Sequence, residues 1–62
     1  MDRLELVDDD GVVQSSYEAD RPEYKRINEV EYAYFYRWNN GEKEYVAGPI
    51  QKPKGWTVRV AQ

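Results

Sequence analysis

The 62-residue chain contains no histidine and no cysteine, and these two absences remove most enzyme chemistry. Histidine is the side chain that usually moves protons near neutral pH. Without cysteine there is no thiol nucleophile, no disulfide and no thiolate metal site. The hydroxyl groups of Ser15, Ser16 and Thr57 lie in no recognisable catalytic motif. We therefore expect a protein that is not an enzyme and that needs no cofactor.

Long apolar runs are also missing, since none approaches the roughly 20 residues of a membrane-spanning helix. The first residues, MDRLELVDDDG, lack the basic segment and apolar stretch of a secretory signal. The four glycines each lie at a predicted turn, so they form no phosphate-binding loop. These features predict a cytoplasmic protein without a membrane partner.

The acidic run DDDG, residues 8–11, is the one candidate metal site. Calcium-binding loops also place carboxylates around a tight glycine turn. This run, however, lacks the downstream bidentate glutamate of the twelve-residue calcium loop. We interpret it as a solvated hairpin turn, and we predict no metal.

The composition is that of one small globular domain, residues 1–62, with 40% hydrophobic and 15% aromatic residues. A domain of this size buries only about 60% of its unfolded surface, so large rings are an efficient source of buried apolar area. This explains part of the aromatic content without any binding role.

The net charge of −3 is unevenly distributed along the chain. Residues 1–20 contain seven acidic side chains and a single basic one, Arg3. Residues 21–62 contain eight basic against five acidic side chains, a net charge of +3. An acidic protein can therefore carry a locally basic surface.

Alternating apolar residues predict two antiparallel strand pairs. RLELV (3–7) and VVQSSYE (12–18) form a first hairpin around the DDDG turn. In residues 30–38 the period is also two, and NNG (39–41) favours a two-residue type I′ turn. The register predicted for that central hairpin pairs Asn39 with Glu42, Trp38 with Lys43, Arg37 with Glu44, Tyr36 with Tyr45, and Phe35 with Val46. The rungs would supply a cation–π contact, an ion pair, an aromatic pair and an apolar pair.

Gly48-Pro49 is expected to end that strand, because proline cannot donate to a ladder. QKPKG (51–55) then predicts a turn, and WTVRVA (56–61) a last strand. The fold class predicted is all-β: a small antiparallel meander or SH3-like barrel of four to five strands. An OB-fold usually needs a longer chain.

The segment EADRPEYKRINE, residues 18–29, allows two interpretations. Asp20 and Glu23 match a capping box, Pro22 suits a first helical turn, and Tyr24 and Ile27 share a helical face. A short helix or 3₁₀ turn near 21–28 is one alternative, and an irregular loop is the other.

The central hairpin carries more rings than one side of a small core can hold. One face has the tyrosines at 32, 34, 36 and 45 with Trp38, and the other has Ala33, Phe35 and Val46. The apolar set suits a tight interior, since tyrosine hydroxyls need a partner or water. Alternatively, the tyrosine face packs inward with its hydroxyls at the rim.

An exposed aromatic platform beside cations predicts a binding module. We expect nucleic acid, DNA above all, to stack on the rings and meet the cations. The alternative is a protein-interaction module or small inhibitor that uses the same rings as interface anchors, also as a homodimer. The predicted ligand-binding residues are Tyr34, Tyr36, Arg37, Trp38, Lys43, Tyr45, Lys52, Lys54, Trp56 and Arg59.

Two short stretches resemble known families. VEYAYFYRWNNG (30–41) resembles a chromodomain strand, but its Tyr-to-Trp spacing is too long and the family's C-terminal helix is missing. YRWNNGEKEYVAG (36–48) resembles hairpins in the arm-binding domains of phage-type integrases. The second resemblance covers about a fifth of the chain and implies DNA as the ligand.

Overall fold

The computed structural model describes residues 2–61, which form six β-strands and no helix. The strands are β1 (Arg3–Val7), β2 (Val13–Glu18), β3 (Arg21–Ile27), β4 (Val30–Asn39), β5 (Glu42–Gln51) and β6 (Thr57–Val60). The predicted all-β class is confirmed, with one strand more than the four to five expected. None of the described residues belongs to a helix that could span a lipid bilayer.

The strands form two antiparallel sheets of three strands each. The first sheet has the order β2-β1-β6, and the second sheet has the order β3-β4-β5. The Cα atoms extend over 35 × 31 × 11 Å, so the molecule is flat. The chain passes from the first sheet to the second at Ala19, which is fully buried, and Asp20, whose N–H donates to the Tyr36 carbonyl at 2.9 Å.

The core lies between the sheets and is small. Tyr17 of the first sheet packs on Phe35 of the second with ring centroids 4.9 Å apart. Ala33 and Phe35 are fully buried, as the apolar-face interpretation predicts, whereas Val46 is 37% exposed. The alternative that turns the tyrosine face of β4 inward is therefore wrong. The core consists of Leu4, Leu6, Ala19, Ala33 and Phe35, with Tyr17, Ala47, Ile50, Trp56 and Val58 packed against it.

The hairpin between β4 and β5 turns at Asn40 and Gly41, whose positive φ angles of 53° and 82° confirm the two-residue loop. The predicted pairs are observed from Asn39–Glu42 through Tyr36–Tyr45. The last predicted rung is wrong, because Phe35 pairs with Ala47 rather than Val46. Val46 is an extra residue on β5, a β-bulge that shifts the register by one.

A second irregularity corrects the expectation that Gly48-Pro49 ends the strand. β5 continues through this pair to Gln51, and two residues of β5 lie opposite Tyr34 alone. Because β5 is an edge strand, the missing proline N–H is tolerated. Gly48 allows a close approach: a Cβ there would lie 2.9 Å from both the Ala33 carbonyl oxygen and the Tyr34 Cα.

Residues 21–27 are neither the helix nor the loop that the sequence allowed, but strand β3. The two side chains of the apparent capping box are engaged elsewhere. The Asp20 carboxylate accepts the Trp38 backbone N–H, and the Glu23 carboxylate binds Lys43 and Tyr45. Tertiary contacts therefore override the local helical signal.

We predict that Gly48→Ala destabilises the protein by about 3 kcal/mol, because the new Cβ overlaps backbone atoms and φ is +119°. The control is Gly11→Ala, where φ is +84° but no atom lies within 4 Å of the added Cβ. It should cost only about 1 kcal/mol of conformational strain. Urea denaturation measures both, and equal losses would contradict the close approach at Gly48.

Candidate functional site

The face of the second sheet that points away from the core is aromatic in its centre and charged at its sides. We call this the outer face. In the observed register Glu23 lies opposite Tyr34, and Tyr36 lies opposite Tyr45, so side chains of three strands meet on this face. The outer face consists of Arg21, Glu23 and Lys25 of β3, Tyr32, Tyr34, Tyr36 and Trp38 of β4, and Lys43 and Tyr45 of β5.

Tyr36 is the centre of the ring cluster. It is only 8% exposed and makes edge contacts with Trp38 and Tyr45 at centroid distances of 5.5 and 6.0 Å. Tyr34 contacts Tyr45 in the same way at 5.9 Å. Such pairs contribute about 0.5–1.5 kcal/mol each beyond their buried area. Trp38 and Tyr45 are each 51% exposed, so the buried ring of Tyr36 supports two half-exposed rings.

The Glu23 carboxylate holds this face together across β4. One oxygen accepts from Lys43 Nζ at 2.7 Å and the other from the Tyr45 hydroxyl at 2.8 Å. The Lys43 hydrogen bond, followed by that of Tyr45, lowers the pKa of Glu23 below its usual value. The same carboxylate raises the pKa of Lys43 and of Tyr45. Glu23 is therefore a charged clamp that joins β3 to β5 through two hydrogen bonds.

The two lysines of the outer face are exposed to solvent, and the ammonium group of each also lies over a tyrosine ring. Lys43 Nζ lies 4.7 Å from the Tyr36 centroid, and Lys25 Nζ lies 5.3 Å from that of Tyr34. The sequence correctly predicted that Lys43 pairs with Trp38 across the strands. The cation–π contact expected between them is wrong, because the ammonium group lies over Tyr36 instead. The ammonium is drawn across β4 to Glu23 and passes over Tyr36.

Trp38 is fixed at its backbone as well as at its ring. Its N–H donates to Asp20 Oδ2 at 2.8 Å, which ties the end of β4 to the crossing between the sheets. The indole edge contact with Tyr36 restrains the side chain. The most exposed tryptophan surface thus belongs to a well-restrained residue.

Three of the predicted site residues lie apart from the outer face. Arg37 points to the other side of β4, where its Nε donates to Glu44 at 2.7 Å. Arg59 of the first sheet binds Glu5 at 2.9 Å, and Trp56 packs against the core. Arg37, Trp56 and Arg59 therefore do not lie on the same surface as Trp38.

Lys52 and Lys54 line a separate cleft of about 550 Å³ between the β3–β4 turn and the segment after β5. Lys52 Nζ binds Glu31 at 3.1 Å and lies 5.6 Å from the Tyr24 ring. The ten predicted residues therefore divide: Tyr34, Tyr36, Trp38, Lys43 and Tyr45 come together, and the rest are distributed over the molecule.

Sequence reasoning missed the contribution of β3 to the outer face. Asp20, Glu23 and Lys25 were not among the predicted residues, because their segment was assigned to a helix or loop. A signal was present: Arg21, Glu23, Lys25 and Ile27 recur at the two-residue spacing of a strand.

The acidic run forms a turn, as predicted. Asp8 accepts hydrogen bonds from the backbone N–H groups of Asp10 and Val12, both at 2.9 Å, and from Gln14. The Val12 bond is the main cause of its lowered pKa. The carboxylates of residues 8–10 lie within 4.8 Å of one another, near enough for a metal ion. Because loop hydrogen bonds account for Asp8, the absence of a metal stays our prediction.

No protein-family model matches the chain, and searches of curated proteins and of solved structures find no match either.

We predict that Glu23→Gln flattens the acid side of the stability–pH curve. The lowered pKa means that charged Glu23 stabilises the fold above about pH 4.3, the value of an unfolded glutamate, and that this stabilisation is lost as pH falls through the folded pKa. The glutamine variant should therefore lose less stability between about pH 5 and 3.

The matched control is Glu42→Gln, at an exposed β5 position whose side chain makes no hydrogen bond within residues 2–61. Thermal melts across this pH range give the measurement. A slope in Glu23→Gln as steep as in Glu42→Gln would contradict the role of the clamp.

Proposed function

We propose that this chain is a non-enzymatic binding module that docks a protein partner on its outer face. The observation that carries the proposal is the pair of half-exposed rings, Trp38 and Tyr45, held in place by Asp20, Tyr36 and Glu23. A cytoplasmic location and an SH3-like arrangement of the strands belong to the same proposal, in keeping with the lack of cysteine and the two small antiparallel sheets.

Restrained aromatic rings suit an interface for an energetic reason. Association costs free energy when mobile side chains become ordered, so rings that are already fixed lose less. Tryptophan and tyrosine are also enriched among the residues that dominate binding energy, and they cluster near the centre of an interface. Trp38 and Tyr45 combine both properties, with charged residues at the sides.

Nucleic acid is the second candidate. It is less favoured than a protein partner because most of the basic side chains expected to bind phosphates are already paired. Counterion release requires cations that are available to phosphates. Of the basic residues that the sequence predicts for this role, Arg37, Lys43, Lys52 and Arg59 are each paired with a glutamate. The rings of Tyr34 and Tyr36 are covered by lysines, which leaves fewer open faces for bases. Arg21 and Lys25 beside the rings are the observation in favour of nucleic acid.

Trp38→Ala should lower the affinity for a protein partner by roughly 30-fold, the effect of losing a 2 kcal/mol hot spot. The control is Tyr24→Ala, which removes a ring that is 45% exposed but lies opposite Ala33, on the other side of the sheet. The partner is recovered from nuclease-treated native extract with immobilised wild-type chain, and its affinity for each variant is then measured. Circular dichroism checks that both variants are folded.

If Trp38→Ala and Tyr24→Ala bind the recovered partner with equal affinity, docking on the outer face is contradicted. If the untreated extract yields nucleic acid alone, and its binding falls steeply between 50 and 200 mM salt, the second candidate replaces the first.

A further inference from the structure

We propose that the partner is an extended acidic peptide segment that adds as a fourth strand to the free edge of β3. This inference rests on the proposed function and specifies the chemistry of the partner. β3 pairs with β4 on one side only, because it is the outermost strand of the second sheet. Strand addition to such an edge supplies main-chain hydrogen bonds, while alternate side chains supply specificity.

β3 is the most suitable edge of the molecule for strand addition. Its seven residues pair with β4 from Arg21–Tyr36 to Ile27–Val30 without a register shift. The edge strand β5 has two register shifts and contains Pro49, β6 has only four residues, and β2 lies beside β5. After Pro22, every residue of β3 carries a backbone N–H.

The charges of β3 indicate an acidic occupant. Within residues 2–61, four basic side chains make no ion pair, and three of them belong to β3; the four are Arg21, Lys25, Arg26 and Lys54. Glu23, the one acidic residue of β3, is already bonded to Lys43 and Tyr45. The β3 edge therefore presents three cations that make no ion pair within the described residues, although Asp20 precedes Arg21 in the chain and Glu31 is the cross-strand partner of Arg26.

The spacing of these cations defines the peptide. Arg21 and Lys25 lie on the outer face four residues apart, a separation of about 13 Å along a strand. An added strand would place two carboxylates at the same spacing, with an uncharged residue between them opposite Glu23. Arg26 points to the other face and would take a third carboxylate there. The Arg21 end lies beside Asp20, whose carboxylate accepts the Trp38 backbone N–H, so a partner that continues past Arg21 would approach the end of β4 that carries the exposed indole.

A peptide fits this pattern better than nucleic acid does. A phosphodiester chain carries a charge at every nucleotide, and one of those charges would fall near Glu23. A peptide strand can place a neutral residue there and also supplies the backbone donors and acceptors that an open edge requires. Charged edge residues also protect proteins from aggregation, which is the role they would have without a ligand.

The experiment uses two synthetic nine-residue peptides of alternating threonine and valine. In one, two glutamates four positions apart replace threonines, and in the other two lysines take the same places. Each is titrated into the ¹⁵N-labelled chain, and amide shifts and amide hydrogen exchange are recorded for residues 21–27. We expect binding of the glutamate peptide, protection of alternate amides of β3, and affinity at least about tenfold weaker for the lysine peptide.

Charge-reversal variants supply the matched comparison. Lys25→Glu and Lys54→Glu each reverse one unpaired lysine and give the same net charge. Lys25→Glu should lower the affinity of the chain for the glutamate peptide about tenfold, and Lys54→Glu should leave that affinity almost unchanged. Equal affinities of the two peptides, equal effects of the two variants, or no change at the β3 amides would overturn the inference.

The inference and the proposed function fail in different ways. If the partner from extract is lost by Trp38→Ala but retained by Lys25→Glu, docking on the outer face stands and the strand addition is overturned. If a single-stranded oligonucleotide binds the chain more tightly than the glutamate peptide in the same titration, nucleic acid takes the place of both.

Discussion

The packing of Phe35 against Tyr17 decides which way every side chain of the second sheet points. Side chains of a strand alternate, so a slip of one residue would exchange the two faces of β4. With Phe35 and Ala33 turned toward the first sheet, Tyr34 and Tyr36 must face outward. The outer face is thus a direct consequence of how the core is filled. Of the side chains of β4, Ala33 and Phe35, which lack polar atoms, lie in the core, and the hydroxyl-bearing rings of that strand lie on the outer face.

The outer face is also part of what holds so thin a molecule together. Tyr36 is almost completely covered although it lies on the side away from the core, and its cover comes from Trp38, Tyr45 and Lys43. Glu23 links β3 to β5 across the central strand. A small domain buries a limited fraction of its surface, so these contacts add apolar burial that the core cannot supply. The same contacts restrain the exposed rings, so stability and readiness to bind have a common origin.

The parts of the structure that local chemistry determines were predictable, and those that depend on distant residues were not. Asn40-Gly41 can form only a few kinds of turn, and the register next to it followed as far as Tyr36–Tyr45. The bulge at Val46 has no comparable local signal, so the prediction failed one rung later. β3 was missed because Asp20 and Glu23 match a helix start, while their actual partners are far away in sequence. Of the five site residues that do come together, Tyr36, Trp38, Lys43 and Tyr45 lie in the part of the hairpin whose register was predictable, and Tyr34 lies beyond the bulge.

The overall charge of −3 does not by itself decide the sign of the partner. At physiological ionic strength charges are screened over about 8 Å, whereas the molecule extends over 35 Å. A ligand at β3 therefore responds mainly to Arg21, Lys25 and the outer-face residues next to them, and only weakly to the acidic turn at residues 8–10. Glu23, the one acidic residue of β3, is bound to Lys43 and Tyr45, and the neighbouring cations Arg21 and Lys25 make no ion pair within residues 2–61. Local pairing, rather than composition, thus sets the electrostatic character of the binding surface.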